Sequence, residues 1–259
     1  GKNSCAIMVR IEGENTLYHV QFQISESGVK NVRVNNLFSV KYPEVIGPPS
    51  ISPDGKFIAF VHKSTSDTFV NVYSIDERKI IDKTIGGGDT SKMVCWGNNL
   101  LFFPNLEKNG IVIWNPRTEE KIVHTISQEI YGRYISYSPK NNQIAFFLRS
   151  ESGKGKSDLA IFDLAQKKLE IIVQNILTTE NCRPFWSSGG RFLSIIHSDV
   201  NDKIIIYETK TKVPFVAFSQ TGNIPWIDWT HSKTICFSYK EGDRKSTRLN
   251  SNHESPYRM

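Results

Sequence analysis

A phrase that returns with variations down the chain limits its fold more than any other feature. Residues 51–76, ISPDGKFIAFVHKSTSDTFVNVYSID, hold a tight polar turn (Ser52, Pro53, Asp54, Gly55) and a short apolar strand from Phe57 to His62. A hydrophilic link follows, then a second strand, Val70 to Asp76, that closes on an aromatic and a turn former. Proline presets one turn dihedral and glycine accepts a positive φ, while β-branched and aromatic residues fit a pleated, half-buried surface. YSPKNNQIAF from Tyr137 and WSSGGRFLSI from Trp186 are degraded copies of the turn and first strand, and IVIWNPR, LAIFDLA and IIIYETK repeat the second.

Two landmarks make the repeat quantitative. The centre of the strand after the turn falls at Ile7, Ile58, Leu101, Ile144, Leu193 and Ile235, spacings of 51, 43, 43, 49 and 42 residues. The aromatic that ends the next strand falls at Phe22, Tyr73, Trp114, Phe162 and Tyr207, spacings of 51, 41, 48 and 45. No segment carries a long apolar pattern at helical period, so the chain is expected to be all-β. Four strands every roughly 40 to 50 residues is the signature of a β-propeller of four-stranded antiparallel blades. A sheet of that size cannot bury both faces alone, whereas sheets stacked side by side cover one another and leave only short edges. Large residues just before the tight turns, Trp96, Tyr137, Trp186 and Trp229, are expected to pack between neighbouring blades. A two-layer β-sandwich is the alternative, but it needs no repeat that preserves turn chemistry at a fixed offset.

The repeats argue for one domain over residues 1–242, in units of about 1–41, 42–88, 89–129, 130–178, 179–220 and 221–242. In the first unit a third strand, Val29 to Val34, leads through a long linker with Tyr42 and Pro43 to a strand at Val45 and Ile46. That unit lacks the strand that should precede Cys5, and the last has only two strands, so the propeller is incomplete, with about five blades' worth of chain.

On these residues the sequence resembles the broad group of β-propeller repeats. ISPDGKFIAF looks like the Ser-Pro-Asp-Gly phrase of TolB-like propellers, of the amino-terminal propeller of the dipeptidyl peptidase and prolyl oligopeptidase families, and of many tryptophan-aspartate repeats. In that alignment Asp54 matches the turn aspartate and Trp114 the closing tryptophan; Trp-Asp pairs and preceding Gly-His pairs are absent. Beyond Gly242 the resemblance stops. The tail, residues 243–259, ends in RKSTRLNSNHESPYRM, which resembles a translated library adaptor and is expected to be disordered and non-native. With the abrupt start GKNSCAIM, this suggests a truncated reading frame whose parent has seven or more blades.

Charge and cysteine usage restrict function further. The 32 Lys and Arg against 26 Asp and Glu give +6, but residues 244–259 hold four of the bases and one of the acids, leaving 28 against 25. A basic surface for nucleic acid therefore does not follow, and no apolar run is long enough to span a bilayer. Cys5, Cys95, Cys182 and Cys236 lie far apart in or beside apolar segments, with no CxxC, and read as buried thiols in a reducing compartment. No Asn-x-Ser/Thr acceptor occurs, in keeping with a cytoplasmic or nuclear protein.

Motifs for bond chemistry are missing. The run IGGGDTSK, Ile85 to Lys92, lacks the GxxxxGK spacing and the helix that a phosphate loop needs. No HExxH, EF-hand or GxSxG pattern appears, and no cofactor or metal is expected. His62 and His197 sit four residues after Ile58 and Leu193, a repeat-equivalent pair two blades apart that reads first as strand-end residues. Three polar links, Lys63–Thr68, Ser150–Asp158 and Ser198–Lys203, join equivalent strands and are expected on one common face, where a stiff scaffold presents recognition loops. The middle link carries Lys154 and Lys156, suited to an acidic partner although a solvated lysine loop needs none. Tyr131, Tyr134, Arg183 and Trp226 are the aromatic and arginine types that anchor protein interfaces, in competition with packing in the blades. The expectation is a non-catalytic scaffold that binds protein or peptide. The alternative, implied by resemblance to the prolyl oligopeptidase and dipeptidyl peptidase families, is a substrate-gating propeller without its serine hydrolase domain.

Overall fold

A computed structural model describes residues 2–11, 14–41, 49–63, 68–85, 94–105, 109–153, 155–178, 182–198, 202–219, 222–231 and 234–241. All 21 elements among them are β-strands, paired antiparallel with their sequence neighbours in six small sheets. The first sheet contains β1 (Lys2–Ile11), β2 (Glu14–Ser25) and β3 (Gly28–Lys41). The second has β4 (Ser50–Ile51), β5 (Phe57–Lys63), β6 (Thr68–Ser74) and β7 (Lys79–Ile85), and the third β8 (Cys95–Gly97), β9 (Leu100–Asn105), β10 (Gly110–Asn115) and β11 (Glu120–Thr125). The fourth runs β12 (Ile130–Ser138), β13 (Gln143–Arg149), β14 (Lys156–Asp163) and β15 (Lys168–Leu177). The fifth runs β16 (Phe185–Trp186), β17 (Phe192–Ser198), β18 (Asp202–Glu208) and β19 (Pro214–Ser219), and the sixth pairs β20 (Gly222–His231) with β21 (Thr234–Glu241). Contacts group these sheets into two compact units, Gly1–Ser127 and Gln128–Met259, each with three sheets.

The repeating turn works through its serine. Ser52 Oγ accepts from the Phe57 N–H at 2.9 Å and the Lys56 N–H at 3.2 Å, and donates to Asp54 Oδ1 at 2.6 Å. Ser187 repeats the device, its Oγ accepting from the Phe192 N–H at 3.0 Å, and both turns close with a glycine N–H on the serine carbonyl, at 2.9 and 2.8 Å. Gly190 is required there: φ is +68°, and a Cβ would lie 2.7 Å from Asn141 Nδ2 and 2.8 Å from Ser138 Oγ. The hairpin after the third strand has its own rule. In the second to fifth sheets a non-glycine residue at positive φ stands five positions after the landmark aromatic: Arg78, Glu119, Lys167 and Lys212.

Register explains why the two landmarks drift together. Ile58 faces Tyr73, Leu101 faces Trp114, Ile144 faces Phe162 and Leu193 faces Tyr207, each pair directly opposed on adjacent strands. Alternation then divides each strand between two cores. In the first unit Ile58, Phe60 and Tyr73 pack with Leu17, Met8 and Phe38 of the first sheet, while Phe57, Ala59 and Val61 pack with Leu101, Phe103 and Trp114 of the third. In the second unit Ala145, Phe147 and Leu159 meet Leu193, Ile195 and Tyr207, and Phe192, Ile204 and Ile206 meet Ile224 and Ile227.

The tryptophans before the tight turns tie sheet to sheet. Trp96 Nε1 donates to the Ser50 carbonyl at 2.9 Å, Trp186 Nε1 to the Ser136 carbonyl at 3.3 Å, and Trp229 Nε1 to the Phe185 carbonyl at 3.0 Å. The three acceptors are themselves repeat-equivalent, one residue before the tryptophan position of the preceding sheet. Tyr137, in the same position, donates to Asn142 Oδ1 at 3.0 Å in its own turn.

Two expectations need correction. In the first sheet Ile7 faces Tyr18, and Phe22 lies opposite Asn3, so the landmark aromatic there is Tyr18. Residues 35–41, read as linker, continue β3, because pairing along β2 as far as Glu14 with Lys41 outweighs the weak strand propensity of Asn35 and Asn36. The expected strand at Val45 and Ile46, the glycine run 86–88 and the tail lie outside the described residues.

Candidate functional site

The polar link between β13 and β14 is anchored to β15. Ser150 Oγ donates to Asn175 Oδ1 at 2.8 Å, and Ser152 Oγ bonds to the same oxygen. The Asn175 N–H in turn donates to Asp158 Oδ1 at 2.9 Å. This is possible because β15 bulges opposite Asp158, with Asn175 at φ 62°, a left-handed conformation that asparagine tolerates. Lys156 is half-buried at the start of β14, its carbonyl accepting from the Ser150 N–H at 3.2 Å, and Lys154 lies outside the described residues.

Beside the bulge, residues of β15 in the fourth sheet and of β17, β18 and β19 in the fifth line an open groove of about 270 Å³. Val173, Ile176, Ile205, Phe215 and Val216 make its apolar wall, and His197, Tyr207 and Asn175 bring polar groups to it. Tyr207 is 2% exposed, and burial pushes its phenol up to about 12, so it stays a neutral hydroxyl. The neighbouring Cys182 is inert: its thiol donates to the Ile196 carbonyl at 3.0 Å, and burial pushes it up to about 12. An ion pair between Lys212 and Glu170 joins the two sheets.

The remaining sequence candidates are dispersed. His197 and His62 hold the same penultimate place in β17 and β5, but His62 stacks on Phe69, ring centroids 6.2 Å apart, while His197 pairs with Lys203 and lines the groove. Tyr131 lies within β12 against the core between the fourth and fifth sheets, with the Arg149 guanidinium 5.2 Å over its ring. Tyr134 is half-buried in the same strand, and Arg183 lies 5.2 Å over the Phe185 ring. Trp226 is in β20, its side chain outside the description. Thus His197 lines the same groove as Asn175, the residue that holds Ser150 and Ser152 of the 150–158 link. Sequence reasoning missed Tyr207, Phe215 and Val216, which read as core or strand; only Asn175, a left-handed former inside a strand, hinted at the bulge. Among the described residues no group of three His, Cys, Asp or Glu is placed to hold a metal.

No family model matches the chain, and no curated protein does. Solved structures do. A chain of the mitotic checkpoint complex superposes with a TM-score of 0.62 at 15% identity, over 93% of this chain and 71% of that one. TolB from Acinetobacter baumannii gives 0.55 at 15%, over 78% of this chain and 50% of its own, and a prolyl endopeptidase gives 0.58 at 12%, over 90% and 39%. The fold is an incomplete β-propeller. At such identities the likeness concerns architecture, and the chain spans half of TolB and less of the endopeptidase. The resemblance carried by the Ser-Pro-Asp-Gly phrase thus agrees with the folds it matches.

Proposed function

We propose that this chain is a non-catalytic propeller scaffold that binds protein or peptide segments. The observation that carries the reading is that strands of conserved register are joined by repeat-equivalent links of differing length and sequence. Residues 63–68, 150–158 and 198–203 all connect the second and third strands of their sheets. A rigid frame with variable connections is how recognition loops are commonly held. A chain with this fold was solved inside the mitotic checkpoint complex, which is in keeping with a protein partner. The four cysteines are free thiols, which suits a reducing compartment, the cytoplasm or nucleus.

The likeness to prolyl endopeptidase, over 39% of that chain, favours one second reading: a propeller that gates substrate for a separate hydrolase domain. Panning a random peptide display library on the full chain tests the first reading, with a chromogenic prolyl peptide as the parallel assay. Saturable binding at about micromolar Kd without turnover is the expected result. Absence of any reproducible binder, or turnover that depends on a residue of this chain, would overturn it.

A further inference from the structure

Resting on the peptide-binding reading, we propose that the turns at one end of the fourth and fifth sheets form a basic site for an acidic peptide segment, one with carboxylates in close succession. The repeat carries its own control. Counted from the landmark residues, five positions meet where the third sheet follows the second: Asp54 in the first turn, Glu77 and Lys79 in the outer hairpin, and Arg117 and Glu119 in the outer hairpin of the next sheet. Three acids stand there with two bases, and the charges neutralise one another. Arg117 pairs with Asp54, Lys79 pairs with Glu77 at 2.9 Å, and Glu77 and then Glu119 favour the charge on Lys79. At the same five positions the fourth and fifth sheets carry Lys140, Gln166, Lys168, Lys210 and Lys212, four bases and no acid. The hairpins are alike, Glu119 and Lys212 holding the same left-handed place at φ 60° and 58°.

Hydrogen bonds gather these lysines on one surface. The Gly190 carbonyl accepts from Asn141 Nδ2 at 2.7 Å and from Thr209 Oγ1 at 3.4 Å, so Lys140 and Lys210, the residues next to them, are held about the same turn. The ion pair of Lys212 with Glu170 draws the hairpin of the fifth sheet onto β15, two residues from Lys168. All four lysines are exposed. The nearby carboxylates are engaged: Glu170 by Lys212, Glu208 by Arg191 and Thr211, and Asp163 by the backbone N–H groups of Ala165 and Gln166. Lys140 and Lys168 have no ion pair or hydrogen bond among the described residues, and Lys210 reaches Glu208 only through its field. Clustered charge of one sign attracts the opposite sign over about a Debye length, roughly 8–10 Å at moderate salt. A carboxylate is the group that answers Arg117 in the equivalent place, that of Asp54. Lysines on separate turns offer spaced point charges, suited to a row of acidic side chains, without the arginine fork that grips a single phosphate.

The test titrates a labelled hexaglutamate peptide into the full chain and its variants, with folding checked by urea midpoint. Submillimolar binding is expected at low salt, weakened about tenfold or more as salt rises from roughly 0.05 to 0.5 M. The double variant K140E/K210E should lose affinity by about tenfold or more, and K140D, which restores an acid at the position of Asp54, by about three- to tenfold. K30E/R33E changes net charge equally on exposed residues of the first sheet and should bind as wild type does. No binding of hexaglutamate at low salt, unchanged binding in K140E/K210E and K140D, or an equal loss in K30E/R33E would overturn the site while leaving the peptide-binding reading standing. Tighter binding of a single-stranded DNA of equal charge would overturn the acidic peptide as occupant. A random library that yields no binder would remove the peptide-binding reading itself.

Discussion

Replacing Trp229 with phenylalanine isolates the bond that ties one sheet to the next. Its indole N–H is shared between the Phe185 carbonyl and Ser194 Oγ, both at 3.0 Å, and phenylalanine keeps part of the stacking on Phe192, ring centroids 6.1 Å apart. Loss of the net hydrogen bond costs about 0.5–1.5 kcal/mol, because the Phe185 carbonyl still accepts from Ser194 Oγ at 3.3 Å. For a chain of this size that is a fall of roughly 1–6 °C in Tm. W96F, with one acceptor at 2.9 Å, should cost about as much, and W186F, whose bond is 3.3 Å, less. Trp114 is the control, since it is fully buried and its Nε1 has no hydrogen-bond partner among the described residues. There the lost volume costs on the order of 1 kcal/mol, and removing an unpaired buried donor returns about as much. Urea unfolding followed by far-ultraviolet circular dichroism reads all four variants without relying on tryptophan fluorescence. If W114F proved the most destabilised, or W229F stayed within about 0.5 kcal/mol of wild type, the role given to the inter-sheet bonds would be refuted.

Further outcomes follow from single sites. Gly190→Ala should destabilise more than Gly55→Ala in thermal melts: both have positive φ, but only at Gly190 does a Cβ collide with neighbours, the nearest atom at Gly55 being Ser4 Oγ at 3.6 Å. Lys167→Gly, at φ 53°, should stabilise by up to about 1 kcal/mol in urea unfolding, because glycine carries no Cβ penalty there. His19 is buried with Nε2 unbonded among the described residues, and desolvation lowers its pKa. The unfolded chain therefore takes up the proton first as pH falls below about 6.5. Stability from a neutral His19 is complete above that value and declines below it until the folded pKa is reached, so His19→Leu should flatten the acid limb of a stability–pH profile. Cys236 is exposed and should react with a thiol reagent in the native state, whereas Cys182 should react only on unfolding.

What could be read in advance was what local chemistry dictates. Ser52 and Gly55, or Ser187 and Gly190, announce a turn wherever they occur, and the Ile58 and Tyr73 type of landmark reflects a register set by that turn. The tryptophans were legible as inter-sheet residues because their place in the repeat is constant. The extent of β3 was not, since Asn35 and Asn36 are poor strand formers held by a partner far back in the chain. The groove was equally hidden, because it is lined from two sheets far apart in sequence and Val216 looks like any strand valine. Lys156 and His197 were singled out for charge and repeat position, and neither property announces the asparagine that joins their surroundings.

Nuclear Overhauser contacts between methyl groups of the fourth and fifth sheets test the stacking most directly. Alternation places Ala145, Leu159 and Ile161 on the side that meets Leu193 and Ile195, and turns Ile144 and Ala160 to the opposite face. Cross-peaks from Leu193 and Ile195 to the first group are predicted. Cross-peaks to Ile144 and Ala160 in their place, or none between the two sheets, would contradict the account.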